Sequence, residues 1–217
     1  MTLKELYKSK ITEFKSIVEK FPTHNLMGPL LMSETKEYEN SKLKLLIIGQ
    51  ETNGWGEYSE NIEQGMEHYL SFNLGSEYYS SPFWNVTRKI ENILGNNKYS
   101  CAWTNLNKFD DNSNRPEGEV AKKISEIDSL LIDEIKILKP DIVIFFTSHH
   151  FDDRIMNIFN GAEFNTLKDF TINHCSSIKH KDLPSFSFRT YHPNYLRRSG
   201  LENGFLDLIK ETVANKS

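Results

Sequence analysis

Cysteine is nearly missing from this chain of 217 residues, which has only Cys101 and Cys175. Two thiols are too few for a disulfide framework or a cysteine-held iron–sulfur cluster, and both read as free. Long apolar runs are missing as well: none approaches the roughly 20 residues that a membrane helix needs. The first residues, MTLKELYKSKITEFKSIVEKF, have helical amphipathic spacing. They lack the apolar core and small-residue cleavage site of a signal peptide, so a cytoplasmic protein without membrane attachment is expected. A surplus of positive charge is absent too. The net charge of −4 argues against a chain coated in Lys and Arg for nucleic acid. No repeat, low-complexity tract or linker interrupts the sequence, and its length suits one domain spanning 1–217.

What is present is a chain with 38% hydrophobic and 12% aromatic residues, enough for a substantial core. Helical periodicity covers Leu3 to Phe21, closed by Pro22. KLKLLIIG (42–49), KYSCAWTNLNKF (98–109), DIVIFFT (141–147) and SFSFRTYHP (185–193) read as strands, the second and fourth running into loops. Between them, SPFWNVTRKIENILG (81–95), one long helix PEGEVAKKISEIDSLLIDEIKILKP (116–140) and HHFDDRIMNIFNG (149–161) read as helices; GFLDLIKETVA (204–214) is a last one. Tyr58 to Ser81 reads as a polar, aromatic stretch, and Ala162 to Leu183 as loop with one short strand at most. The alternation predicts an α/β fold: a three-layer α/β/α sandwich around a four-stranded parallel central sheet. Loops after parallel strands gather on one edge, where such sheets bind ligands. Those loops are Gln50–Asn53, Asn105–Asn107, Thr147–His150 and His192–Asn194.

The first of them follows LLIIGQETNGWGE (45–57). Gly49 and Gly54 have the spacing of a phosphate loop, but Trp55 and Gly56 stand where Lys and Ser/Thr are required. The glycines do not fit a dinucleotide fingerprint either. SHHFDDR (148–154) brings two His and two Asp together, but without a paired His/Cys signature the expectation is no metal and no cofactor. What remains is carboxylate, amide and imidazole chemistry. Glu51 stands in a glycine-bounded loop after a strand, and Asn105 at a strand end offers an acceptor beside two donors, which matches a pyrimidine edge. His192 is held extended by Pro193. Each also has a plain alternative: a solvated carboxylate, a turn amide, a turn histidine. Between Lys179 and Arg198 five basic residues face one acid, Asp182, a local charge of +4 that is either a solvated run or a binding face.

Together these residues resemble the uracil-DNA glycosylase superfamily. Gly49-Gln50-Glu51 is similar to its first motif, commonly GQDPY, and Tyr191-His192-Pro193 to its last. LSFNLG (70–75) followed by SPFWNVTRKI resembles the base-stacking phenylalanine and the helix after it. WTNLNKF resembles the strand whose asparagine reads the base. NRPEGEV and LLIDEIKILKPDIVIFFTS resemble the helix and third strand, and the similarity runs from Lys44 to Leu208. There are departures. Glu51 replaces Asp, and Thr52 and Asn53 replace Pro and the Tyr that excludes thymine. The spacing from Glu51 to Phe72 is long, which leaves Phe83 or Trp55 as other stacking rings. The four cluster cysteines of the iron–sulfur branch are absent.

The resemblance implies hydrolysis of an N-glycosidic bond in DNA, removing uracil or another deaminated base. Glu51 would stabilise the cationic sugar, and neutral His192 would donate to the base oxygen where charge develops. Gln50, Phe72 and Asn105 would hold a base flipped out of the stack. Tyr195 or Leu196 would fill the gap, with Arg197 and Arg198 near phosphates. No protein partner is implied. The alternatives left open are the same fold acting on another base or nucleoside, and a catalytically silent member that binds nucleic acid or a nucleotide.

Overall fold

The computed structural model describes residues 1–78 and 80–214. In chain order its strands are β1 (Leu26–Met27), β2 (Leu45–Gly49), β3 (Ala102–Asn105), β4 (Asp110–Asp111), β5 (Ile142–Phe145), β6 (Glu163–Thr166), β7 (Cys175–Lys179) and β8 (Phe186–Thr190). Its helices are α1 (Leu3–Ser9), α2 (Ile11–Lys20), α3 (Lys36–Glu39), α4 (Ile62–Phe72), α5 (Pro82–Ile93), α6 (Gly118–Ser125), α7 (Leu130–Leu138), α8 (Asp152–Ile158), α9 (Pro193–Arg198) and α10 (Glu202–Ala214). The main sheet runs β3-β2-β5-β8-β7-β6, and β1 pairs separately with β4. Strands β3, β2, β5 and β8 are mutually parallel, while β7 and β6 are antiparallel. Every residue of β2 and β5 is buried, as apolar runs covered on both faces require. Helices α5, α9 and α10 pack against one another, and α1 packs on α2, α4 and α7.

The sheet therefore has six strands, not the four expected, and is mostly rather than wholly parallel. The four expected strands form the parallel part. The added pair lies in 162–183, where loop with one short strand at most was expected. β6 reads EFNT and is largely exposed, and β7 begins CSSIK with two serines, so neither carries an apolar signal. Three other boundaries differ. The N-terminal helix breaks at Lys10, which lets Leu3, Leu6 and Tyr7 on α1 and Phe14 and Ile17 on α2 face the core from different directions. The long helix tightens into turns over 126–129, where Asp128 leaves the helix pattern to bind Arg154 at 2.6 Å. The stretch 58–81 contains α4, capped by the Asn61 side chain.

Polar groups anchor the frame. Arg189 on β8 is fully buried and makes paired 2.8 Å bonds to Asp152, with further bonds to the carbonyls of Ile172 and Asn173. It is a structural cation, so the basic segment 179–198 is not one solvated face. The buried Lys108 ammonium bonds Glu134, which also accepts from the Tyr7 hydroxyl. Burial pushes the Lys108 pKa down despite that carboxylate. Strand β3 lies at the sheet edge, and side chains bond backbone donors on it and just before it. Glu91 accepts from the N–H groups of Ser100 and Cys101, and the Tyr69 hydroxyl accepts from Trp103 N–H at 2.9 Å.

Candidate active site

The apolar strand β2 ends at Gly49, which pairs in register with Asn105 at the end of β3. An alanine Cβ at Gly49 would lie 2.3 Å from Asn105 Oδ1. Only glycine lets the amide sit against the strand end. The loop beyond is pinned from below by Asp110. One carboxylate oxygen accepts from Thr52 Oγ1 at 2.6 Å, Gly54 N–H at 3.0 Å and Trp55 N–H at 3.2 Å; the other accepts from Ser113 N–H. Gly54 supplies the positive φ, +79°, that turns the chain there. The β3 loop docks on the same turn, with Asn107 N–H bonding Gln50 O.

Above these strand ends is a cavity of about 390 Å³. Gln50, Glu51, Phe72, Asn105 and His192 all line it, together with the rings of Trp55, Phe83 and Trp103. Residues far apart in sequence thus meet in one aromatic hollow. Phe72 packs among Trp55, Trp103 and Trp84 with ring centroids 5.2–5.7 Å away, and Phe83 lies 5.7 Å from His192. Asn105 Nδ2 is buried without a hydrogen-bond partner, as are the indole nitrogens of Trp55 and Trp103. An unpaired buried donor costs about 1–3 kcal/mol, which a ligand acceptor would recover.

Two further side chains hold the carboxylate. Arg115 Nε lies 3.1 Å from Glu51 Oε2, and the same guanidinium donates to Gln50 Oε1. Asn107 Nδ2 donates to Glu51 at 3.3 Å, while Asn107 Oδ1 accepts from Arg154, itself fixed by Asp128. Gln50 Nε2 donates to Thr147 O at 2.8 Å and so ties in the loop after β5. His192 Nδ1 accepts the Asn194 N–H at 3.3 Å, so a neutral ring carries its proton on Nε2. Burial lowers the His192 pKa, and the nearby Arg115 charge lowers it further. The arrangement presents a fixed carboxylate, a neutral N–H donor and a donor–acceptor amide around a flat hollow.

The segment 193–198 behaves differently. It forms α9, and the four residues expected on a DNA face are not equivalent there. Leu196 is fully buried, so it cannot enter a base stack from this conformation, against the expectation. Tyr195 is 50% exposed, Arg197 is bonded to Glu202 at 2.8 Å, and Arg198 is exposed. None of the four lines the cavity. Sequence reasoning missed Arg115, Asp110 and Trp103; it had placed Asn107 in a strand-end loop and named Trp55 only as an alternative stacking ring. Arg115 and Asp110 had a signal only in their place: charged residues flanking a strand-end loop, in FDDNSNR.

Among the described residues no three His, Cys, Asp or Glu side chains converge as a metal site, and no helix is long and apolar enough to cross a membrane. Both cysteines are buried and free. No protein-family model matches the chain, and no curated protein matches it.

Proposed function

We propose that this chain is a DNA N-glycosylase that removes uracil or another deaminated base, built as a three-layer α/β/α member of the uracil-DNA glycosylase superfamily and working in the cytoplasm. One observation carries the reading. Glu51, Asn105 and His192, from the ends of three parallel strands, surround a single aromatic cavity, with His192 held as an Nε2–H donor.

The chemistry follows from those groups. As the glycosidic bond lengthens, the sugar becomes cationic and the base anionic. The Glu51 carboxylate stabilises the cation and positions water, and Arg115 and Asn107 keep it aimed. The His192 Nε2–H donates to the base oxygen where negative charge gathers. A preorganised donor of this kind contributes about 3–4 kcal/mol to the transition state. Asn105 offers Nδ2–H to a carbonyl and Oδ1 to a ring N–H, a pattern that uracil completes and cytosine does not. Phe72 supplies the ring on which the base lies.

The test uses single-stranded and duplex oligonucleotides carrying uracil, hypoxanthine or xanthine, assayed for abasic sites. Wild type should release at least one base, and His192→Ala should lose about 10²–10³-fold in rate. No release from any substrate, or an unchanged rate in His192→Ala, overturns the proposal.

A further inference from the structure

A base extruded from a duplex leaves a gap, and proteins that work on duplexes fill it with a side chain inserted between the steps. Here the segment after His192 has no free side chain for that task. Pro193 starts α9 at once, and Leu196 is turned inward with no exposed surface. Tyr195 does not stand alone either, because its ring lies 4.4 Å from Tyr191.

The same surface carries something else: a run of rings beside the cavity. Tyr195 meets Tyr191, Tyr191 meets His149 and His174 at 5.9 Å each, and His149 meets His150 at 4.0 Å. Tyr195 is half exposed, His150 is exposed, and Tyr191, His149 and His174 are partly so. His149 Nδ1 is buried and without a partner. Tyr191 directly precedes the cavity-lining His192, so the row joins the cavity through the chain, although none of its five rings lines the cavity itself. Exposed contiguous rings offer π faces to unpaired bases of any identity. A paired duplex keeps its base faces stacked on one another and has none to offer. The fixed cations here are few: Arg198 is exposed, and Arg197 is tied to Glu202.

From these observations we propose that the Tyr191–Tyr195–histidine row is a stacking platform for single-stranded DNA, which delivers an already unpaired nucleotide to the cavity. The proposal rests on the glycosylase reading for its choice of DNA, but binding needs no cleavable base. The platform takes two or three bases and few phosphates, so affinity depends weakly on salt. With Arg198 free and Arg197 paired, log K should fall with log salt at a slope of about −0.7 to −1.4.

The experiment measures binding of the full chain to an undamaged mixed-sequence oligonucleotide about 15 nucleotides long. It is presented as single-stranded DNA, as duplex and as RNA, with 2-aminopurine as a stacking probe. Single-stranded DNA should bind at least tenfold tighter than the duplex, with quenched 2-aminopurine and the shallow slope above. Tyr195→Ala should weaken it about tenfold, and Tyr195→Phe should retain it, because the ring and not the hydroxyl is used. The Tyr195 side chain is half exposed, so both variants keep the fold. Duplex binding equal to single-strand binding, a steep slope, tighter binding of RNA, or no effect of Tyr195→Ala overturns the platform. None of these arms uses base release. A protein that binds the strand but frees no base refutes the glycosylase reading alone, and one that frees bases only from duplexes refutes the platform alone.

Discussion

At Asn105 one side chain carries two opposite hydrogen-bonding groups, and its chemistry can be altered without changing its size. Asn105→Asp removes the donor that a uracil carbonyl needs and should abolish uracil release; Asn105→Ala should do so with the fold intact. Initial rates on matched uracil oligonucleotides check both, and wild-type rates in both would remove Asn105 from base reading. Gly49→Ala is a subtler probe, since its Cβ would fall 2.3 Å from Asn105 Oδ1. The amide must swing aside, so base release should drop at least tenfold although no residue facing a substrate has changed. An unchanged rate would show that the amide has room to move. Burial first and Arg115 second lower the His192 pKa; in the proposed mechanism His192 works neutral, so the active plateau should extend below the ordinary imidazole range of about 6.5. Arg115→Ala removes the opposing charge, so the acid limb of the rate profile should move to higher pH; an unmoved limb refutes the coupling. The stability sign is the same for His149, whose pKa burial also lowers. The unfolded state takes up those protons first, so stability is full above about pH 6.5 and declines as pH falls. Glu51, Asn105 and His192 were legible as site candidates because each lies at or just past the end of a segment that reads as a strand. Arg115 was not, because an arginine in a polar loop looks the same whether it clamps a carboxylate or meets water.

Among the elements, the loop after β2 depends on a strand outside the main sheet. Asp110 on β4 supplies four bonds to the turns at 52–55 and 113. Asp110→Ala would leave the buried Thr52 hydroxyl and Trp55 N–H unpaired, at a cost of about 2–3 kcal/mol. That corresponds to a melting point about 5–10 °C lower for a chain of this size. Thermal unfolding followed by circular dichroism measures it, and a melting point within a degree of wild type would show that the loop holds itself. Two-residue strands such as β4 leave no periodic trace in a sequence, which is why this support went unread. Helix α4 was hidden for another reason. Its buried residues Ile62 and Tyr69 are spaced seven apart, and Gly65, Met66 and four polar residues fill the turns between.

For the molecule as a whole, the parallel half of the sheet was readable and the antiparallel half was not. Parallel strands covered on both faces tend to be apolar runs, and LLIIG and IVIF show it. An outer pair such as β6 and β7 bonds through its backbone and leaves its side chains free to be polar. The lack of any converging ligand set among the described residues gives a whole-molecule expectation. Chelator treatment should leave base release unchanged, and activity lost to chelator and restored by zinc or iron would contradict it.

The sealing of β3 reaches further than the geometry of its own edge. An open edge strand is a template on which a second chain can add, and the usual guards are charge, proline or a covering loop. Here the guards are two side chains from helices: Tyr69 of α4 takes the Trp103 N–H on the strand, and Glu91 of α5 takes the Ser100 and Cys101 N–H groups just before it. Resistance to self-association on this side therefore depends on helix docking and lasts only while α4 and α5 stay in place. Loosening of α4 during heating or synthesis would free the Trp103 N–H on the strand that ends in Asn105, so self-association on this side would begin beside the cavity.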